Sequence, residues 1–148
     1  MKRLHGSGSA STAASLEACL DLLKALDGYP TWYPEVVREV TVLERGEGGV
    51  VRRAKVKLHV AYGPLEKDLE LLVSLTVDPP SRVVLARVPH SASDSEELEV
   101  RWLLEDGAER QLTVELHASL EVPRFLPVGQ LADSFAKGFA EAAARALA

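Results

Sequence analysis

The C-terminal stretch constrains the fold most, because residues 127–148 predict a helix with one continuous apolar face. Apolar side chains recur there at steps of three and four residues, and charged side chains fall on the opposite side. Since the preceding segments have the pattern of strands, we expect a sheet to bury Phe135 and Phe139. The predicted apolar positions are Val128, Leu131, Phe135, Phe139, Ala142 and Ala146.

Before this helix, apolar and polar residues alternate over several segments, as they do in strands with one buried face. The alternation is clearest in residues 50–62, 68–77, 97–104 and 111–122. Turn residues such as Gly63 and Pro64 separate these segments. The connections are too short for parallel crossovers, so the sequence predicts an antiparallel α+β arrangement.

Two segments have patterns that allow more than one interpretation. Residues 82–88 are apolar on both sides, so either Val84, Ala86 and Val88 or the set Val83, Leu85 and Arg87 faces the core. Residues 3–12 are rich in glycine and serine, and that composition favours a flexible linker over a strand.

The N-terminal half contains one amphipathic helix, which begins after Ser15, a typical cap, and ends at Asp27 and Gly28. Cys19 falls on its apolar face, so we expect a small core residue there. The helix is followed by residues 29–34 (YPTWYP), where two prolines prevent a long regular element. These aromatic side chains either pack as a lid over the core or gate a ligand.

The length of 148 residues suits one domain. The net charge of -5 and the interleaved signs argue against a nucleic-acid partner. The single cysteine cannot form an internal disulfide, and four scattered histidines do not predict a zinc cluster, so we expect no metal site. The sequence has no transmembrane run and no secretory signal, which predicts a soluble, cytoplasmic protein.

Several segments have recognisable sequences. Residues 28–34 (GYPTWYP) follow the first helix, and residues 40–44 (VTVLE) come soon after them. Residues 100–104 (VRWLL) with 112–114 (LTV) form a late strand pair, and residues 123–127 (PRFLP) lead into the final helix. Together these segments resemble the START-like, or SRPBCC, superfamily, whose fold is called helix-grip, and in particular its bacterial polyketide cyclase/dehydrase and coenzyme-Q-binding branch.

The resemblance implies that residues 1–148 form one ligand-binding domain. It implies a curved antiparallel sheet of about six to seven strands around a long C-terminal helix, with one or two short helices after an opening strand at residues 4–12. Many relatives hold an apolar small molecule between sheet and helix, and strand alternation then selects the lining residues. Trp32 or Tyr33 would guard the mouth. The predicted ligand-binding residues are Trp32, Tyr33, Tyr62, Leu71, Val73, Leu98, Val100, Trp102, Val114, Leu116, Phe135 and Phe139.

The sequence does not predict a catalytic centre. His59 and His117 fall on the polar strand face, His90 lies in a polar loop, and His5 lies in the ambiguous first segment. No glycine-rich phosphate loop is present, and we expect no cofactor. If the protein is an enzyme, Tyr62 and Arg87 are the candidates, because an arginine can polarise a carbonyl.

Three functions therefore remain open. The first is a protein that binds, sequesters or transports a hydrophobic small molecule such as a lipid, a quinone or a polyketide-like compound. The second is an aromatase/cyclase or dehydrase acting on an aromatic polyketide, and the third is a protein-interaction module without a small-molecule ligand. The expected partners are the hydrophobic ligand and, transiently, a membrane, with no nucleic acid. The sequence predicts no particular oligomeric state.

Overall fold

The computed structural model describes residues 2–78, 81–107, 109–121 and 128–148, except for the side chains of Tyr62, Leu65 and Val128. Within these residues, one sheet and three α-helices account for most of the chain. The strands are β1 Lys2–Thr12, β2 Val37–Arg45, β3 Val51–Tyr62, β4 Leu65–Asp78, β5 Arg82–Arg87, β6 Glu97–Glu105 and β7 Arg110–Leu120. The helices are α1 Leu16–Lys24, α2 Tyr29–Trp32 and α3 Val128–Leu147, with 3-10 turns at Leu26–Gly28 and Glu47–Gly49.

All neighbouring strands pair antiparallel, in the order β1-β7-β6-β5-β4-β3-β2. The first strand therefore pairs with the last, and α3 packs on β1 and β7. This is the predicted helix-grip α+β fold, a curved sheet holding a long C-terminal helix. The proposed motif at residues 123–127 and the turn at Pro79 and Pro80 lie outside the described residues.

The first segment is a strand, so the linker that its composition favoured is wrong and the strand implied by the resemblance is confirmed. The small residues allow a close approach between β1 and α3. A Cβ atom at Gly6 would overlap the backbone of Ala132, and one at Gly8 would overlap the backbone of Lys137. Glycine is therefore required by packing against the helix and not by chain flexibility.

The partner surface on α3 is equally small. Four alanines at helical spacing are fully buried there, namely Ala132, Ala136, Ala140 and Ala143. Ala146, which was predicted to lie on the apolar face, is exposed. The buried face of α3 is thus wider than the Phe135 and Phe139 stripe.

Burial also determines which face of β5 points inward, and it confirms the position of Cys19. In β5, Val83 and Leu85 are buried while Val84 and Ala86 are half-buried, so Arg87 lies on the inner face. In α1, the Ser15 hydroxyl accepts a hydrogen bond from the Ala18 N–H, and Cys19 is buried as predicted. Burial raises the pKa of the Cys19 thiol, and Arg110 opposes this.

No helix in the described part of the chain is long and apolar enough to cross a membrane.

Candidate ligand cavity

A cavity of about 400 Å³ lies between the first half of α3 and the inner face of the sheet. Its walls are mainly apolar, with six polar or charged residues among the twelve apolar ones. The apolar lining consists of Leu4, Leu58, Val60, Leu69, Leu71, Leu98, Leu116, Ala118, Leu120, Leu131, Ala132 and Phe135. The polar lining consists of Lys67, Glu70, Arg87, His90, Glu96 and Glu121.

The cavity occupies one end of the sheet. Val60 lies near the end of β3, Leu69 near the start of β4, and Leu120 at the end of β7. Although these three side chains lie on the inner face of the sheet, they are only half-buried. Inward apolar side chains at the other end, such as Val114 and Trp102, are fully buried. Side chains therefore fill the space between the sheet and α3 at one end and leave a cavity at the other, although α3 stays in contact with β1 there.

An aromatic cluster fills the closed end. It consists of Tyr29, Trp32, Tyr33, Trp102 and Phe139. The centroid of the Phe139 ring lies 5.0 Å from that of the Tyr33 ring and 5.2 Å from that of the Trp102 ring, which it meets edge to face. The buried Tyr29 hydroxyl donates a hydrogen bond to the Leu23 carbonyl at 2.5 Å, and burial raises the pKa of Tyr29. Close aromatic pairs of this geometry stabilise a core beyond their burial.

A smaller void of about 50 Å³ lies between the cavity and this aromatic cluster. Val73, Val100 and Phe139 line the void. Leu71 and Phe135 border both spaces. The void therefore lies next to the cavity on its core side, and Phe135 is one of the side chains between the two spaces.

Arg87 also borders both spaces, but its guanidinium is bound to protein groups. It donates to an Asp94 carboxylate oxygen at 2.7 Å and to the Glu96 carbonyl at 2.9 Å. The two side chains of the ion pair are only 7% and 13% exposed. The hydrogen bond from Arg87, and after it one from the His90 backbone, holds the pKa of Asp94 well below its usual range. Charge-assisted pairs of this kind fix both partners.

The same carboxylate organises the connection between β5 and β6. Asp94 accepts backbone hydrogen bonds from the N–H groups of His90, at 3.0 Å, and Glu96, at 3.2 Å. His90 and Glu96 both line the cavity. Asp94 therefore determines where this part of the cavity wall lies.

The predicted ligand-binding residues divide into three groups. Leu71, Leu98, Leu116 and Phe135 line the cavity, while Val73, Val100 and Phe139 line the smaller void. Trp32, Tyr33, Trp102 and Val114 lie outside both spaces. The first three are in the aromatic cluster, so the structure does not place Trp32 or Tyr33 at the mouth. The Tyr62 side chain, predicted both as ligand-binding and as a catalytic candidate, is outside the described residues.

Several wall residues at the open end were not predicted to bind a ligand, namely Leu58, Val60, Leu69, Leu120 and Leu131. A signal for them existed, because the strand residues share the inward parity and Leu131 was on the predicted helix face. Alternation along a strand identifies the inner face of the sheet but not the position along that face where the cavity lies.

Comparison with known proteins agrees with this architecture. The model of a family described as polyketide cyclase/dehydrase and lipid transport matches residues 12–148. Among curated proteins, no sequence matches the chain.

Solved structures share the fold at low sequence identity. A START superfamily protein from Mycobacterium smegmatis has a TM-score of 0.78 at 16% identity, over 97% of this chain and 97% of that one. A protein from Thermus thermophilus has a TM-score of 0.72 at 18% identity, over 97% of this chain and 96% of that one. The Zhui aromatase/cyclase from a Streptomyces species has a TM-score of 0.63 at 19% identity, over 99% of this chain and 94% of that one.

Proposed function

The chain belongs to the polyketide cyclase/dehydrase and lipid transport family, and from this premise we propose that it binds a hydrophobic small molecule in the cavity beneath α3. The observation that carries the proposal is the 400 Å³ space with mainly apolar walls at the open end of the sheet. Pockets for small ligands are commonly about 300–1,000 Å³ and apolar, with a few polar groups that orient the ligand.

The driving force would be transfer of the ligand's apolar surface out of water. Half-buried side chains such as Leu69, Leu98 and Leu131 would lose contact with water when the ligand enters. Lys67 and His90 are wall residues that could hydrogen-bond a polar end of the ligand. A lipid, a quinone and a polyketide-like ring compound all combine an apolar body with such an end.

We favour binding and transport over catalysis because of the partners of Arg87. In an aromatase/cyclase or dehydrase, this guanidinium would have to polarise a carbonyl of the bound compound. Two of its nitrogens already donate to Asp94 and Glu96. The cyclase activity is the second candidate, supported by the family and by the fold shared with an aromatase/cyclase. A cytoplasmic location and transient membrane contact stay predictions.

Filling the cavity tests the proposal. Ala118 is a wall residue on β7, so Ala118→Phe places an aromatic ring in the space that the ligand would occupy. We expect the fluorescent fatty acid cis-parinaric acid to bind the wild-type protein and to bind this variant at least about tenfold more weakly, a difference of about 1.4 kcal/mol. Fluorescence titration measures both affinities, and a short-chain ubiquinone serves as competitor.

The matched control is Ala61→Phe, which adds the same side chain to an exposed position on β3. This variant should bind the probe as the wild type does. Circular dichroism verifies that both variants fold. Equal affinity in folded Ala118→Phe and the wild type, or no uptake of either compound by the wild type, would refute a cavity site.

A further inference from the structure

The outer face of the sheet brings together two histidines that are far apart in the sequence. His5 on β1 lies directly opposite His117 on β7, and their ring centroids are 4.4 Å apart. Glu115 projects from the same face two residues before His117, with a carboxylate oxygen 3.4 Å from His117 Nε2. One ligand atom from each of the three side chains can be chosen so that all lie within 4.8 Å of one another.

These residue types are suitable ligands for a divalent transition metal. Imidazole nitrogens and a carboxylate oxygen bind Zn²⁺ at about 2.0–2.2 Å, and tetrahedral geometry then separates the ligand atoms by about 3.4 Å. Because His5 is exposed, its ring can change rotamer without moving the strand. Glu115 and His117 are half-buried, so their positions are already restricted.

The neighbouring strand supplies charged groups around the three ligands. On β6, Glu99 lies opposite His117 and Arg101 lies opposite Glu115. Glu99 and Arg101 form an ion pair at 3.1 Å. A carboxylate beside a ligating histidine commonly orients the ring and increases its basicity. His5, His117 and Glu99 also border a groove of about 550 Å³ on the surface, which leaves room for water as a fourth ligand.

We propose that His5, Glu115 and His117 bind one Zn²⁺ ion on the outer face of the sheet, where it joins β1 to β7. The four histidines are scattered along the chain, so the sequence predicted no metal site. Antiparallel pairing of the first and last strands nevertheless brings two of these histidines, His5 and His117, together. Since β1 also supports α3, the ion would stabilise the strand on which the helix packs. The site lies on the opposite face from the ligand cavity and does not depend on the proposed function.

His59 provides an internal comparison. Its Nδ1 lies 2.7 Å from an Asp68 carboxylate oxygen, and its Nε2 lies 3.4 Å from a Glu66 carboxylate oxygen. The two carboxylates therefore engage opposite nitrogens of one ring, and a single ion cannot bind both nitrogens. His59 should contribute little to Zn²⁺ affinity.

The test is isothermal titration of ZnCl₂ into chelator-treated protein that carries no polyhistidine tag. We expect one Zn²⁺ per wild-type chain, and at least about tenfold weaker binding in His5→Gln and in His117→Gln. His59→Gln is the matched control and should retain wild-type affinity. Zn²⁺ should also raise the melting temperature of the wild type and of His59→Gln, but not of His117→Gln.

Because His5 is exposed on an edge strand, His5→Gln should fold even if His117→Gln does not. The proposal is overturned if the wild type takes up no Zn²⁺. It is also overturned if folded His5→Gln binds as tightly as the wild type, or if His59→Gln loses as much affinity as His5→Gln.

Discussion

Asp94 is the residue on which the local geometry of the cavity wall depends most. Its carboxylate binds the Arg87 guanidinium and two backbone N–H groups, those of His90 and Glu96. All three of these partners border the cavity. A single acidic side chain thus holds a basic residue and two loop positions in place, and its loss would leave a mostly buried guanidinium without its counter-charge.

Replacing this carboxylate with an amide tests its charge. In Asp94→Asn the backbone hydrogen bonds can persist, but the ion pair cannot. Because folding lowers the pKa of Asp94, the ionised form stabilises the protein above the ordinary aspartate pKa of about 3.9, and this contribution is lost as the pH falls through the lowered pKa. We therefore expect the variant to have a lower free energy of unfolding at pH 7 and the difference to shrink below about pH 4.

Urea denaturation at pH 7 and below about pH 4 measures this difference in the free energy of unfolding. Glu39→Gln is the control, because the Glu39–Lys57 pair is exposed on both sides and such pairs contribute little. A difference between wild type and Asp94→Asn that is independent of pH would contradict the assignment.

At the scale of elements, α3 has two distinct buried surfaces. Its alanines contact β1, where glycines permit backbone-to-backbone approach. Its phenylalanines face the interior, Phe139 toward the aromatic cluster and Phe135 toward the cavity. The periodicity of large apolar residues predicted the second surface only, because alanine on a helix does not by itself indicate burial.

The two phenylalanines should therefore respond differently to truncation. Phe139 is buried among four other aromatic rings of the cluster, so Phe139→Ala should cost about 3–5 kcal/mol in the free energy of unfolding. Phe135 is half-buried beside existing space, so Phe135→Ala should cost less. Removing the Phe135 ring should also change the affinity for cis-parinaric acid, because this side chain lines both the cavity and the inner void.

Denaturation and fluorescence titration of the pair give both quantities. Each variant is the control for the other, since the same atoms are removed from positions one helical turn apart. Equal destabilisation, with probe affinity unchanged in both, would contradict the separation of α3 into a core part and a cavity part.

For the molecule as a whole, most of the fold was predictable because it depends on local patterns. Alternation predicted the later strands, and Ser15 predicted the start of α1. β1 was not predictable from composition, because Gly6 and Gly8 are explained by a helix more than a hundred residues away. Long-range register likewise brings His5 to His117.

The sequence predicted which face of the sheet the cavity lies on, but not its position along that face. Of the residues expected to contact a ligand, Leu71 and Phe135 line the cavity whereas Trp102 and Val114 are core. All belong to inward-facing positions, so periodicity treats them alike. Which end is hollow depends on where α1, α2 and the aromatic cluster fill the interior, and this is a property of the assembled fold.

The central claim is that the cavity takes up a hydrophobic small molecule, and native mass spectrometry tests it most directly. The wild-type protein and Ala118→Phe would be purified without detergent, and each would be measured before and after incubation with a fatty acid or a short-chain ubiquinone. We predict one bound apolar molecule per wild-type chain and markedly less in Ala118→Phe. An unliganded wild-type mass with no uptake of either compound, or equal uptake by both proteins, would contradict the claim.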